Sequence, residues 1–80
     1  MAVRIVFLGK LADLAGDAEL AVAAPLDWAG LLKSLEPGLA AQAAGEKVRI
    51  ALNGGILTDK AALAARDGDE VALLPPVSGG

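Results

Sequence analysis

The chain has 80 residues, with seven Lys or Arg against ten Asp or Glu for a formal charge of −3, and it contains neither His nor Cys. That length predicts one domain, and the two absent residue types exclude disulfides, Cys-bearing zinc sites, thiol nucleophiles and the commonest general base. An acidic chain without a basic run also argues against a nucleic-acid partner.

The first segment, Ala2-Val3-Arg4-Ile5-Val6-Phe7-Leu8, is short, rich in β-branched residues and ends at Gly9. It predicts a strand with Val3, Ile5 and Phe7 on one face. The other face is polar at Arg4 and apolar at Val6 and Leu8. Arg4 interrupts the apolar run, so neither a signal peptide nor a membrane span is expected, and the cytoplasm is the expected compartment. Lys10 to Gly16 is a polar connection; Leu11 and Leu14, three apart, predict one helical turn ended by Gly16. Glu19 to Ala23 alternates at period two, points Leu20 and Val22 inward and closes at Pro25. With the first strand it predicts a hairpin.

Leu26 to Pro37 is the clearest helix. Asp27 caps it by accepting from the free N–H groups of the first turn. Trp28, Leu31, Leu32 and Leu35 then fall at i, i+3, i+4 and i+7, one apolar stripe. Pro37-Gly38 is expected to stop this helix, and the Ala-rich stretch Leu39 to Ala44 to add a short turn. Lys47 to Leu52 alternates again, with Val48, Ile50 and Leu52 inward. Asn53-Gly54-Gly55 predicts a tight turn, Ile56-Leu57 a short edge segment, and Ala61 to Ala65 a brief helical turn. Arg66-Asp67-Gly68-Asp69 predicts another turn, leading into a last strand from Glu70 to Leu74.

This order, β–β–α–β–(short β)–β, predicts an α+β unit: a mixed sheet of four to five strands packed on one main helix. The chain is 55% hydrophobic but only 2% aromatic, Phe7 and Trp28, and much of the rest is Ala. Val, Ile and Leu must therefore form the core. A domain this small buries only roughly 60% of its unfolded surface, so marginal stability, or stabilisation by a partner, is expected. Pro75-Pro76 cannot donate to a sheet ladder. The expected division is a folded domain over 1–76 and a flexible tail over 77–80, Val77-Ser78-Gly79-Gly80.

The residues argue against intrinsic catalysis. Gly9-Lys10 lacks the spacing of a P-loop. Asp67-Gly68-Asp69-Glu70 has no alternating ligand pattern for Ca²⁺ and is better explained as a turn. Ser34 and Ser78 are the only serines, and neither has a candidate base. Trp28 shares the helix stripe, which favours packing over ligand stacking. Two features remain. If the first and last strands are neighbours, Val6, Leu8 and Leu74 form one apolar patch away from the helix; it is either a partner site or is covered by the Leu39 to Ala44 stretch. The tail is the other feature: Gly79 and Gly80 lack Cβ atoms and can thread a channel too narrow for side chains. A chain ending there delivers its own α-carboxylate. As a mixed anhydride with AMP, that group can become a thioester, an isopeptide or a thiocarboxylate without any side chain of the carrier.

The element order, the Asp67-Gly68-Asp69-Glu70-Val71 turn and the Pro75-Pro76-Val77-Ser78-Gly79-Gly80 end resemble the small subunit of molybdopterin synthase, the MoaD family. The likeness spans the whole chain, including the Gly9-Lys10-Leu11-Ala12-Asp13-Leu14-Ala15-Gly16 segment. It implies a ubiquitin-like β-grasp fold and a sulfur carrier. Gly80 would be adenylated by an E1-like adenylyltransferase using ATP and then converted to a thiocarboxylate. The tail would enter the active site of the synthase large subunit, in a heterotetramer of two small and two large subunits, and give sulfur to the cyclic pyranopterin precursor. Val77, Ser78 and Gly79 would line the channel, and Val6, Leu8 and Leu74 would dock. The carrier itself would bind no cofactor, metal or membrane. Other readings are a thiamine-pathway ThiS-like carrier, which shares the fold and the Gly-Gly end, a protein modifier joined to lysines through Gly80, and a plain β-grasp interaction module.

Overall fold

A computed structural model describes residues 1–76. In chain order the elements are β1 (Ala2–Phe7), α1 (Lys10–Ala15), β2 (Glu19–Ala23), β3 (Leu26–Asp27), α2 (Trp28–Ser34), α3 (Pro37–Ala44), β4 (Arg49–Leu52) and β5 (Gly55–Ile56). A 3₁₀ turn (Lys60–Ala62), β6 (Ala64–Ala65) and β7 (Glu70–Leu74) complete them. Five strands form one sheet in the order β2-β1-β7-β4-β5. The central pair, β1 and β7, is parallel, and the outer pairings are antiparallel. First and last strands thus lie side by side under a helical layer, the β-grasp arrangement that the resemblance implies. A separate two-stranded ladder joins β3 to β6.

Alternation along the strands decides the layers. Val3, Ile5 and Phe7 of β1, Val71 and Leu73 of β7, and Ile50 of β4 point to the helices and are buried. They meet Leu11 of α1, Leu31 of α2, Leu35 at the end of α2, and Leu39 and Ala43 of α3 in one cluster. Each fully buried Leu or Ile contributes about 1.5–3 kcal/mol of transfer energy, which is how a core with one Phe holds the fold. Asp27 caps α2 as expected: its Oδ1 accepts from the Gly30 N–H at 2.7 Å. The loop between β4 and β5 is the two-residue Asn53-Gly54, both at positive φ (49° and 86°), and Gly55 already belongs to β5.

Five expectations need correction. The helix expected over Leu26 to Pro37 covers only Trp28–Ser34, because Leu26 and Asp27 are pinned as a strand against Ala64 and Ala65. Pro37 does not stop a helix; it opens the eight-residue α3, where its missing N–H is harmless in the first turn. Leu39 and Ala43, four apart, then anchor that helix in the core, so the stretch is more than a turn. Ala61 to Ala65 splits into the 3₁₀ turn and β6. Leu20 shares the inner face with Ile5, its partner across the ladder, yet remains 39% exposed because β2 is a sheet edge.

Trp28 is half-buried against the core, with the Lys60 ammonium 5.9 Å from its ring centroid. The same Nζ donates to the carbonyls of Ala43, at 2.8 Å, and Gly45, so a cation sits at the carbonyl end of α3. The packing reading of Trp28 holds. No helix among the described residues is long and apolar enough to cross a membrane.

Candidate functional site

The last strand and its exit define the site. β7 runs parallel to β1, so both strands finish at the same end of the sheet. Pairing is closed there by Leu8, whose N–H donates to the Leu73 carbonyl at 3.2 Å. The chain then turns away at Gly9, with φ 57° and ψ −132°, a backbone region that suits glycine alone. The ring of Pro75 lies against that turn: a Cβ added to Gly9 would sit 3.1 Å from Pro75 Cγ. Gly9 and Pro75 therefore brace the point where the chain leaves β7. Val77, Ser78, Gly79 and Gly80, named above as channel and reacting residues, lie outside the described residues.

Beside this exit is the sheet face that the helices do not cover. Register places three rows of side chains on it. Farthest from the exit are Ala21, Arg4 and Glu70, with Arg4 Nη2 2.8 Å from Glu70 Oε2 and Arg4 Nε 3.9 Å from Glu19. The middle row runs Glu19, Val6, Ala72, Ala51, Ile56 across all five strands. The row nearest the exit pairs Leu74 with Arg49, and Leu8 follows Val6 along β1 toward the same end. The face therefore carries Arg4, Glu70 and Glu19 toward its far end, and where the chain leaves it sets Leu74 and Leu8 beside Arg49. Val6 and Leu74 are half-buried, while Leu8 is 41% and Ile56 52% exposed.

Val6, Leu8 and Leu74 thus share one face, as the sequence suggested. The alternative, that Leu39 to Ala44 covers them, is overturned: α3 packs on the opposite face with Leu39 and Ala43 in the core. Ala72 and Ile56 extend the patch, with Ala51 buried between them at 5% exposure, and none of the three was singled out from the sequence. Alternation marks Arg49 and Ala51 as outward, but only the register brings Arg49 beside Leu74 and Ala51 beside Ala72.

The acidic turn is structural. Asp67 Oδ1 accepts from the Ala2 N–H at 2.8 Å, and Asp69 Oδ2 accepts from the Arg66 N–H at 2.9 Å. Asp69 Oδ1 also accepts from Asn53 Nδ2, and Asn53 Oδ1 in turn accepts from the Glu70 N–H. These bonds, the Arg66 N–H first and Asn53 second, hold the Asp69 carboxyl below the usual carboxylate range. Gly68, at φ 87°, supplies the reversal. Ser34 Oγ donates to the Gly30 carbonyl one helical turn back, at 2.8 Å, so the hydroxyl is engaged within its own helix. Among the described residues, no three His, Cys, Asp or Glu side chains converge where they could hold a metal ion.

Comparison with known proteins fits this architecture. Several solved structures superpose on essentially the whole chain. The HVO 2177 protein of Haloferax volcanii has a TM-score of 0.77 at 28% identity, over 100% of this chain and 87% of its own. Small archaeal modifier protein 1 from Methanosarcina acetivorans has 0.75 at 25%, over 99% and 96%. A chain from the complex of subunits 1 and 2 of molybdopterin-converting factor of Helicobacter pylori has 0.66 at 29%, over 100% of both. No curated protein sequence matches the chain. The model of the ThiS family matches residues 5–80. The chain belongs to the ThiS family, one of the ThiS/MoaD group of ubiquitin-like β-grasp proteins.

Proposed function

We propose that this chain is the sulfur-carrying small subunit of a molybdopterin synthase, with the α-carboxylate of Gly80 as its reacting group. An E1-like adenylyltransferase joins that carboxylate to the α-phosphate of ATP and releases pyrophosphate. A donor of sulfide-level sulfur displaces AMP, forming the C–S bond of a thiocarboxylate. In the active site of the large subunit the sulfur passes to the cyclic pyranopterin precursor. Water then cleaves the acyl–sulfur bond and restores the carboxylate. Val77, Ser78 and Gly79 line the channel on the way in. The chain works in the cytoplasm, binds no cofactor itself and assembles as two small with two large subunits. The carrier supplies position and a leaving acyl group; the partner supplies the catalytic side chains.

One observation carries this reading. The apolar patch of Val6, Leu8 and Leu74 adjoins the point where β7 hands over to Pro75. A partner seated on the patch therefore meets the chain where it leaves β7. Burial of such a face suits a small fold with a thin core. The likeness to a chain of the molybdopterin-converting factor complex supports a larger subunit as that partner.

Deletion of Gly80 in the native host tests it: molybdenum-cofactor synthesis should be lost, and unimpaired synthesis overturns the proposal. The likeness to small archaeal modifier protein 1 favours a second reading, attachment to lysines of other proteins. Intact mass separates the two. A fraction with one oxygen replaced by sulfur marks the carrier, and ladders on other proteins mark the modifier.

A further inference from the structure

We infer that the free edge of β2 is a second docking site, for an extended peptide with alternating apolar residues and basic ends. The sheet begins at β2, so one side of this strand faces no other strand among the described residues. Hydrogen-bonded pairs alternate along an antiparallel ladder. The Phe7 N–H donates to the Ala18 carbonyl and the Ala24 N–H to the Met1 carbonyl. With the register Val3 to Val22 and Ile5 to Leu20, Leu20 and Val22 therefore use their backbone groups toward β1. Glu19, Ala21 and Ala23 point theirs outward. Edges of this kind are usually blunted by charged side chains, Pro or a bulge, and Glu19-Leu20-Ala21-Val22-Ala23 has a single charge at its first residue and neither Pro nor a bulge.

Beneath the edge, on the helix side, is an open crevice of about 240 Å³ lined by Phe7, Ala15, Leu20, Leu35 and Leu39. A residue added opposite Leu20 would point its side chain to this face. Its volume suits one or two aliphatic side chains. Leu20, 39% exposed, is the wall that an incoming side chain would cover. Asp17 and Glu36 also line the crevice, so its rim is acidic. That rim selects Lys or Arg next to the apolar anchor, and the net charge of −3 favours a basic segment over a second copy of this chain. The site is on the opposite face from Val6, Leu8 and Leu74, so it can be filled while the apolar face is occupied.

The test is an amide and methyl NMR titration of the full chain with the capped peptide acetyl-Lys-Thr-Val-Thr-Val-Thr-Lys-amide. Shifts should gather at Glu19, Ala21 and Ala23 and at the methyls of Leu20, Leu35 and Leu39. Replacing both lysines of the peptide by Glu should weaken binding about tenfold or more. Replacing its central Thr, the residue opposite Ala21, by Pro should abolish binding of an antiparallel peptide by removing a ladder donor. Leu20→Lys should do the same, whereas Leu74→Arg should leave it unchanged. Shifts centred on Val6, Leu8 and Leu74, equal binding of the Glu peptide, or no shifts at all would overturn the site. Concentration-dependent shifts of the β2 amides without peptide would assign the edge to a second copy and overturn the peptide proposal too.

Discussion

The two faces of the sheet are written in the same strands, yet they answer to different demands. On β7, Val71 and Leu73 are fully buried under the helices, while Ala72 and Leu74 look out from the uncovered face. On β1 the inner set is Val3, Ile5 and Phe7, and the outer set Arg4, Val6 and Leu8. Both sets are apolar near the exit of the chain. The inner residues are fixed by packing that the fold supplies for itself. The outer ones leave apolar surface that nothing in the described chain covers. Identical chemistry one residue apart therefore reports on folding in one case and on association in the other.

The comparison breaks most visibly from the inside. Leu73→Ala should cost about 2–5 kcal/mol, the range for truncating a fully buried Leu. A domain of this size has only about 4–12 kcal/mol in total, so urea denaturation should show the variant close to unfolding. A loss no larger than that of an outer-face variant would show that the faces do not differ. Next is the hinge between them. Gly9→Ala must adopt φ 57° with ψ −132° and press on Pro75, at about 1–3 kcal/mol. The same variant should shift the Pro75 resonances, since its new methyl meets that ring. Stability equal to the parent's would show that the turn relaxes freely.

How far the sequence could reach follows from which forces are local. Period-two alternation gives the inner faces of β1, β4 and β7 directly, because a strand's two sides are set by its own residues. Asp27 as a cap and Asn53-Gly54 as a turn are equally local. Pairing is not local. Whether Val6, Leu8 and Leu74 meet depends on β1 and β7 being neighbours, which the sequence could state only as a condition. That Ile56 joins the patch, across the buried Ala51, depends on the register of two further strands. The helical layer was hardest to read. Pro37 can end one helix or begin another, and only the burial of Leu39 and Ala43 decides. Leu20 shows the remaining gap, since alternation points it inward but cannot say that β2 is an edge. The tail motif was legible as residue types, and its geometry lies outside the described residues.

The outer face gives a smaller loss of stability and a larger functional signal. Leu74→Ala removes a half-buried side chain, so folding should weaken by no more than about 1 kcal/mol. Binding to the large subunit proposed as its partner, measured by calorimetry, should fall about tenfold or more, about 1.4 kcal/mol. Equal losses in folding and binding would place Leu74 with the core and remove it from the docking face.

The smallest effect tests the charged turn that leads into β7. Asp69 accepts from the Arg66 N–H and from Asn53, and these bonds lower its pKa below the ordinary 3.8. A carboxylate with a lowered pKa in the folded state adds stability above its unfolded pKa, and that stability is lost as pH falls through the folded value. The parent should therefore lose stability on acidification below 3.8 more steeply than Asp69→Asn, which has no such group to protonate. At neutral pH the Asn variant should already be the weaker of the two, because an amide nitrogen cannot accept from Asn53. Asp69 is only half-buried, so the difference should be modest. Urea midpoints of the two proteins, followed from neutral to acid pH, should converge. Parallel curves would mean that the turn is held by Gly68 and the backbone alone.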